Sequence, residues 1–588
     1  MSPVQRILRH LLRLPPRRFA SEAATEWIPL SDGVRLATTV IRPLRDEAAP
    51  APVVLIRTPL STQRASDSSR FFARVVAESG HTVVLQQCRG RYASEGRFSP
   101  FANEARDGAE TLDWIASQEW GREPLGLLGL GYSGFAAWAA ASLRPERVGA
   151  LVVGFQPRDP YASFFSGGAF QLEWALRFGI GLGDREVVPG RRIDLERAVR
   201  HRPVCAADRV ALRTSDAYRA WATHPERDAF WQKLCPAVPQ PAPPALLIAG
   251  WDDAALTAQL ADHAALRNAT QAAGSILPQL LLGPWSGGRP RAGGLRASRP
   301  LGRGVVIGAV VDFLNRRLRG ASARSAPVRV FVEAANRWRD CADWPPPGAE
   351  ECRLHLRGEG RANALVGDGA LSPEAPPAHE SPDHFVYDPE DPVPTASRFG
   401  AGNRVDDQRF LEARADVLCY TTEPLPSDLD VIGPVRLILY ADTNAPSTDF
   451  TAKLVDVAPD GSARGGCEGI LRVRPASAGD GSEDLERDTT RRLEIELGAA
   501  GYRFRRGHRV RLEVSSSSFP RFDRNPNTRS NPETADPESF VAARQTVRHD
   551  AEHPSRLLMS VLRDRVAQND EGPAGNASGP SIRSQPKG

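Results

Sequence analysis

At 588 residues the chain exceeds what one hydrophobic core supports and calls for two or three domains. Hydrophobic residues make up 41% and charged residues 25%, the balance of a folded globular protein, which excludes a fibrous or wholly disordered chain. The 75 Lys and Arg are interleaved with 71 Asp and Glu, for a net charge of +4, so no field builds up to attract a phosphate backbone and no nucleic-acid partner is expected.

The first twenty residues, MSPVQRILRHLLRLPPRRFA, are basic and amphipathic, and Arg and His interrupt the apolar run that a secretory signal needs. They predict a surface helix within a basic extension over 1–24. No window of 18 apolar residues occurs, so no transmembrane segment is expected. The 7 cysteines are odd in number, far apart and without a C-x-x-C pair, which suits reduced thiols in a cytoplasmic protein. Short β-branched or apolar runs then recur at 52–58 (PVVLIRT), 82–87 (TVVLQQ), 125–130 (LGLLGL), 150–155 (ALVVGF), 245–250 (ALLIAG) and 279–285 (QLLLGPW). Helical stretches at 103–118 and 256–273 lie between them, and this alternation predicts an α/β fold with a parallel sheet and functional loops at the strands' carboxyl ends. The segment 157–241 breaks the alternation with Arg-rich and aromatic helical pieces and reads as an inserted helical cap. It divides the α/β domain into 25–156 and 242–322. From about residue 326, strings such as VRVFVEA, VRLILYA, FTAKLVDV and HRVRLEVSSS are short strands with turn signals, predicting an all-β sandwich over 323–565. The remainder, 566–588, is rich in Gly, Ser, Pro and Asn and is expected to be a disordered tail.

Several strings resemble motifs of the CocE/NonD (cocaine esterase-type) hydrolases and the related X-prolyl dipeptidyl peptidases. In the first half they are IRTP at 56–59, CRGRYASEG at 88–96, NEARDGAETLDWIASQEW, GWDD at 250–253 and GPW at 283–285. In the second half they are ANRWRD, YDPEDPVPT, TDFTAKLVDV, SSSSFPRFDRNPNT and HDAEHPS. The resemblance implies an α/β-hydrolase domain with a helical cap, followed by a jelly-roll, galactose-binding-like sandwich that helps wall the pocket. It also implies cleavage of acyl or aminoacyl esters or amides by a Ser nucleophile, a His base, an orienting Asp and an oxyanion hole, with no cofactor and no metal.

Position by position, the family's chemistry is incomplete here. The nucleophile elbow G-x-S-Y-x-G aligns with Gly129-Leu130-Gly131-Tyr132-Ser133-Gly134, which puts Gly131 at the nucleophile position and leaves the Tyr132 backbone N–H as oxyanion donor. Sliding the frame to make Ser133 the nucleophile fails on its far side, where Phe135 replaces the second glycine; a Ser early in a helix commonly bonds local backbone groups. The acid of the W-x-D pattern is Asp253, whose alternative role is to cap the following helix. The GPW-x-H base falls on Gly287, and the oxyanion Tyr after R-T-P falls on Leu60. His263 reads as an ordinary helical-surface residue, and Trp251 and Trp285 as pocket residues. The favoured reading is a pseudoenzyme that uses its pocket for a small acyl or aminoacyl ligand. Two alternatives are an active hydrolase or acyltransferase rebuilt around Ser133, Ser286 or a substrate-held water, and a structural subunit that assembles with itself or with active homologues.

Overall fold

In this computed structural model the chain is described over residues 14–45, 50–62, 67–121, 123–182, 194–211, 214–272, 274–286, 289–290, 299–322, 326–363, 367–395, 407–474 and 489–563. The chain enters the fold through a long antiparallel pair, β1 (Ala20–Pro29) and β2 (Arg35–Leu44), in register along its whole length. Residues 14–19 carry no regular structure, so the predicted surface helix is not formed there, and its remainder, 1–13, lies outside the described residues. Pro15 and Pro16 have no N–H to give a helix, and the N–H groups of Arg18 and Phe19 donate to the Glu78 carbonyl at 3.0 and 3.1 Å instead.

Short apolar runs then lay down the sheet: β3 (Val53–Thr58), β4 (Thr82–Gln87), β5 (Leu125–Leu130), β6 (Val148–Gly154), β7 (Ala245–Gly250) and β8 (Gln279–Gly283). β3, β4 and β7 are buried at every position, as continuous apolar strands covered on both faces must be. Neighbours from β4 through β3, β5, β6, β7 and β8 are parallel, and the strand order of the 10-stranded sheet is β1-β2-β4-β3-β5-β6-β7-β8-β9-β10. The last two members are β9 (Val328–Val332), parallel to β8, and β10 (Arg337–Cys341), its antiparallel hairpin partner.

The string VRVFVEA, grouped with the sandwich on its sequence, supplies the first of these two strands at the edge of the α/β sheet. A short run with Val328, Val330 and Val332 all buried is equally suited to either domain, and the preceding helix (Arg299–Leu318) delivers it to the free edge of β8. Its continuation nevertheless touches the second domain: Glu333 donates its N–H to the Gly501 carbonyl at 2.7 Å and accepts from Arg503 N–H at 3.0 Å. The strands of the second, all-β domain begin with Glu350–Arg357 and end with Arg556–Val561, within an 11-stranded hydrogen-bonded network. The predicted tail lies outside the described residues.

Between β6 and β7 the chain forms short helices, among them Pro160–Phe164, Leu172–Gly181, Asp216–Ala222 and Ala229–Leu234, around an aromatic core in which Phe164 stacks on Trp221 at 4.1 Å. This cap docks on the all-β domain through main-chain bonds, with Arg472 N–H donating to the Gly167 carbonyl (2.7 Å) and Asp523 N–H to the Phe170 carbonyl (3.0 Å). The fully buried Arg472 guanidinium sits between the carboxylates of Asp449, Asp523 and Glu533 at 2.9, 2.8 and 3.4 Å. Cap, sheet and all-β domain thereby converge above the carboxyl ends of the parallel strands.

Candidate functional site

The site positions read from the sequence lie on the loops that leave β3, β5, β7 and β8, and of these, among the described residues, only Asp253 lines the cleft where cap and all-β domain meet. β5 ends at Leu130 and the helix Tyr132–Leu143 starts two residues later, so Gly131 alone makes the turn, at φ +60° and ψ −135°. Its N–H donates to the Gly154 carbonyl on β6 at 2.8 Å, which ties the turn to the sheet. An L-residue in this region is strained, and that sharp strand-to-helix turn is the geometry that lifts a nucleophile above an α/β-hydrolase sheet. A Cβ on Gly131 would meet nothing within 4 Å, whereas one on Gly129 would lie 1.8 Å from the Ser133 carbonyl oxygen. The flanking glycine is therefore required by close approach, while the elbow position itself faces open space and carries no side chain.

Tyr132 and Ser133 open the helix. The Tyr132 backbone N–H lies in the first turn, where amides have no intrahelical acceptor. Its ring is buried, and its hydroxyl donates to Glu104 Oε1 at 2.9 Å and accepts from Phe101 N–H at 2.8 Å. Burial, reinforced by the Glu104 carboxylate, pushes that phenol far above its ordinary range. Ser133 is buried in the same first turn. Glu104 also pairs with buried Arg57 at 2.7 Å, and Arg57 donates from Nε to Gln86 at 2.8 Å. Asp107, one turn after Glu104, holds Arg89 at 2.6 Å. Arg57 of the IRTP motif thus reaches the elbow through Glu104 and Tyr132, and Arg89 of CRGR pairs with the same helix at Asp107. Sequence reasoning assigned them no role, because their partners are brought together only by the fold.

Leu60, beyond β3, is 45% exposed, and its side chain offers no hydrogen-bond donor. Asp253 follows β7; its carboxylate accepts from Gly250 N–H at 2.7 Å and from Gln259 Nε2 at 3.5 Å, three residues before the helix Leu256–Ala272 begins. The loops after β7 and β8 are laced together, with Trp251 N–H donating to the Gly283 carbonyl at 3.1 Å and Asp252 N–H to that of Trp285 at 3.4 Å. Gly287, the predicted base position, lies outside the described residues, as does the side chain of Ser286.

Trp251 and Trp285 are buried, and their indole N–H groups donate to the Phe331 and Ala249 carbonyls at 2.8 and 2.9 Å. Trp251 borders a second cavity with Glu333, Asp456 and Tyr502, and neither ring lines the cleft at Asp253. A buried indole must place its N–H on an acceptor, and the acceptors here are main-chain groups of the sheet. His263 is also buried, not on the surface; loss of hydration pushes its imidazole down to about 4.

A cleft lies where the β6 and β7 loops, the cap and the all-β domain meet. Phe155, Gln156 and Pro157 line it after β6, Ser163, Gln171, Glu173 and Trp174 come from the cap, Asp253 and Gln259 from the β7 loop, and Arg521 from the all-β domain. Sequence reasoning missed Gln156, Gln171 and Arg521 as lining residues; the one available signal was that Arg521 falls in the SSSSFPRFDRNPNT motif. Among the described residues no group of three or more His, Cys, Asp or Glu is placed to hold a metal ion.

Residues 32–287 match the sequence model of the X-Pro dipeptidyl-peptidase (S15 family), and residues 320–558 match that of the X-Pro dipeptidyl-peptidase C-terminal non-catalytic domain. The chain is 33% identical over 579 residues to the cocaine esterase of Rhodococcus sp. (strain MB1 Bresler), an alignment that covers 92% of this chain and 99% of that protein. The chain belongs to the CocE/NonD hydrolase family. Solved structures share the fold. An aminopeptidase from a marine sediment Thaumarchaeota archaeon superposes with a TM-score of 0.79 at 25% identity, covering 93% of this chain and 98% of that one. A CocE/NonD family hydrolase from Staphylococcus aureus shares the fold at TM-score 0.65 and 17% identity, covering 92% and 93%.

Proposed function

We propose that this CocE/NonD member keeps the family's fold and cleft, does not hydrolyse, and uses the cleft to bind a small acyl or aminoacyl molecule. The observation that carries the reading is Gly131: a backbone bent at φ +60° as a nucleophile elbow, with open space above it and no hydroxyl to attack a carbonyl. Leu60 supplies no side-chain donor for an oxyanion, and Gly287 stands where the family motif has its His. Loss of nucleophile or base costs on the order of a millionfold in rate, and loss of one oxyanion donor about a hundredfold or more, so ordinary ester turnover falls to a small residue of a working hydrolase's. Asp253 then orients nothing and serves the loop that holds it to Gly250 and Gln259.

The test is hydrolysis of p-nitrophenyl esters and of X-Pro p-nitroanilides by the purified protein, with a fluorophosphonate probe read by mass spectrometry. No rate above background and no adduct are expected. Turnover that survives Ser133→Ala would overturn the non-hydrolytic reading, and turnover abolished by that substitution would move the nucleophile to Ser133.

A further inference from the structure

We infer that Gln171 is the specificity-determining acceptor of the cleft and selects small ligands that present a neutral N–H donor, an amide in preference to the isosteric ester. The inference deepens the binding role proposed above and rests on it. Gln171 lies at the junction of cap and cleft, just before the helix Leu172–Gly181, and is 1% exposed. Its Nε2 donates to the Ser163 main-chain carbonyl at 3.3 Å. A carbonyl can only accept, so the amide orientation is determined, and Oε1 must face the other way. That oxygen has no hydrogen-bond partner.

None of the neighbouring donors is bonded to it: Gln156 Nε2 donates to Ser163 Oγ at 2.7 Å, Gln259 Nε2 leans toward Asp253, and the Arg521 guanidinium donates to Glu468 at 2.8 Å. The Glu173 carboxylate, held by Arg177 at 2.7 Å, and that of Asp253 add acceptors to the same wall. A buried acceptor without a donor is costly and rare in folded proteins. The terminal torsion of a Gln side chain is soft, so the carbonyl can turn a short way toward the cleft when a donor enters. Phe155, Pro157 and Trp174 supply the apolar surface for the rest of such a ligand. An ester oxygen in place of the N–H would set acceptor against acceptor and leave Oε1 unmet, which is the arrangement that gives hydrogen-bonding sites their strong discrimination.

The experiment uses the full-length protein and a matched pair of probes, N-methylphenylacetamide and methyl phenylacetate, with binding followed by tryptophan fluorescence and ligand-detected NMR. The amide is expected to bind about tenfold more tightly than the ester. In Gln171→Met, which keeps the side chain's length and removes the acceptor, the preference should fall to about one. Equal affinities in the wild type, an unchanged preference in Gln171→Met, or no binding of either probe at millimolar concentration overturns the inference. Trp174→Ala should weaken both probes alike, and if Gln171→Met does not fold, the wild-type ratio alone decides. Release of phenylacetate, visible in the same NMR spectra, counts against the non-hydrolytic reading and leaves the amide preference to be judged from the first spectra.

Discussion

Gly131 is the residue on which the functional reading turns, and its backbone yields a quantitative expectation. Because no atom lies within 4 Å of its added Cβ, Gly131→Ser meets no steric obstacle and is strained by φ +60° alone. It should lower stability by about 1–2 kcal/mol, seen as a fall in melting temperature. It should not create an esterase, because the new hydroxyl lacks a base to take its proton and a side-chain donor for the oxyanion, and a triad acts as a unit. Gly131→Ser with Gly287→His, helped further by Leu60→Tyr, is expected to show p-nitrophenyl acetate hydrolysis, with Asp253 orienting the new imidazole. A triple variant with unchanged circular dichroism that stays inert would show that the pocket has diverged beyond its triad.

The elements of the all-β domain carry their own buried chemistry. His549, just past the strand Ala543–Arg548, lies between the carboxylates of Glu380 (2.9 Å) and Asp383 (3.0 Å), with the Tyr420 hydroxyl on Asp383 at 2.8 Å. Burial disfavours the imidazolium, but the two carboxylates outweigh it, and the folded-state affinity for the proton is raised above the ordinary His value. A raised folded pKa means stability that is complete below the unfolded pKa, near 6.5, and is lost as pH rises through the folded value. His549→Gln should therefore destabilise the domain most at pH 5–6 and progressively less toward alkaline pH. Urea midpoints for both proteins across that range are the measurement. A difference independent of pH would mean that His549 binds its proton equally well in the folded and unfolded states.

At the scale of the whole molecule, the cleft exists because three units are locked together, and Arg472 is the central fastener. It is fully buried against Asp449, Asp523 and Glu533, and Asp523 in turn accepts the Phe170 N–H of the cap at 3.0 Å. Removing one partner from a buried ionic group leaves uncompensated charge and costs about 3–5 kcal/mol. Arg472→Met should accordingly lower the melting temperature and expose the cap, 157–241, to limited proteolysis before the rest of the chain. Cleavage distributed as in the wild type would show that the main-chain bonds at Gly167 and Phe170 suffice for docking.

The sequence by itself determined the family, the α/β fold with its cap and all-β domain, and the residues at the elbow and at Asp253, because these reside in local strings: apolar runs, turn glycines and short motifs whose spacing needs no folding to be read. Tertiary structure alone decided the rest. It sent β9 and β10 to the α/β sheet, since a five-residue apolar run has no preference between two sheets until an open edge meets it. It buried His263 where its place on a helix suggested the surface, because burial is set by what packs from distant parts of the chain. It also brought Gln171 and Arg521, 350 positions apart in sequence, to one cleft with Asp253, and joined Arg57 to Glu104 beneath the elbow. Hydrogen bonds and ion pairs between such distant residues form only when loop closure has been offset by burial of the cores they link.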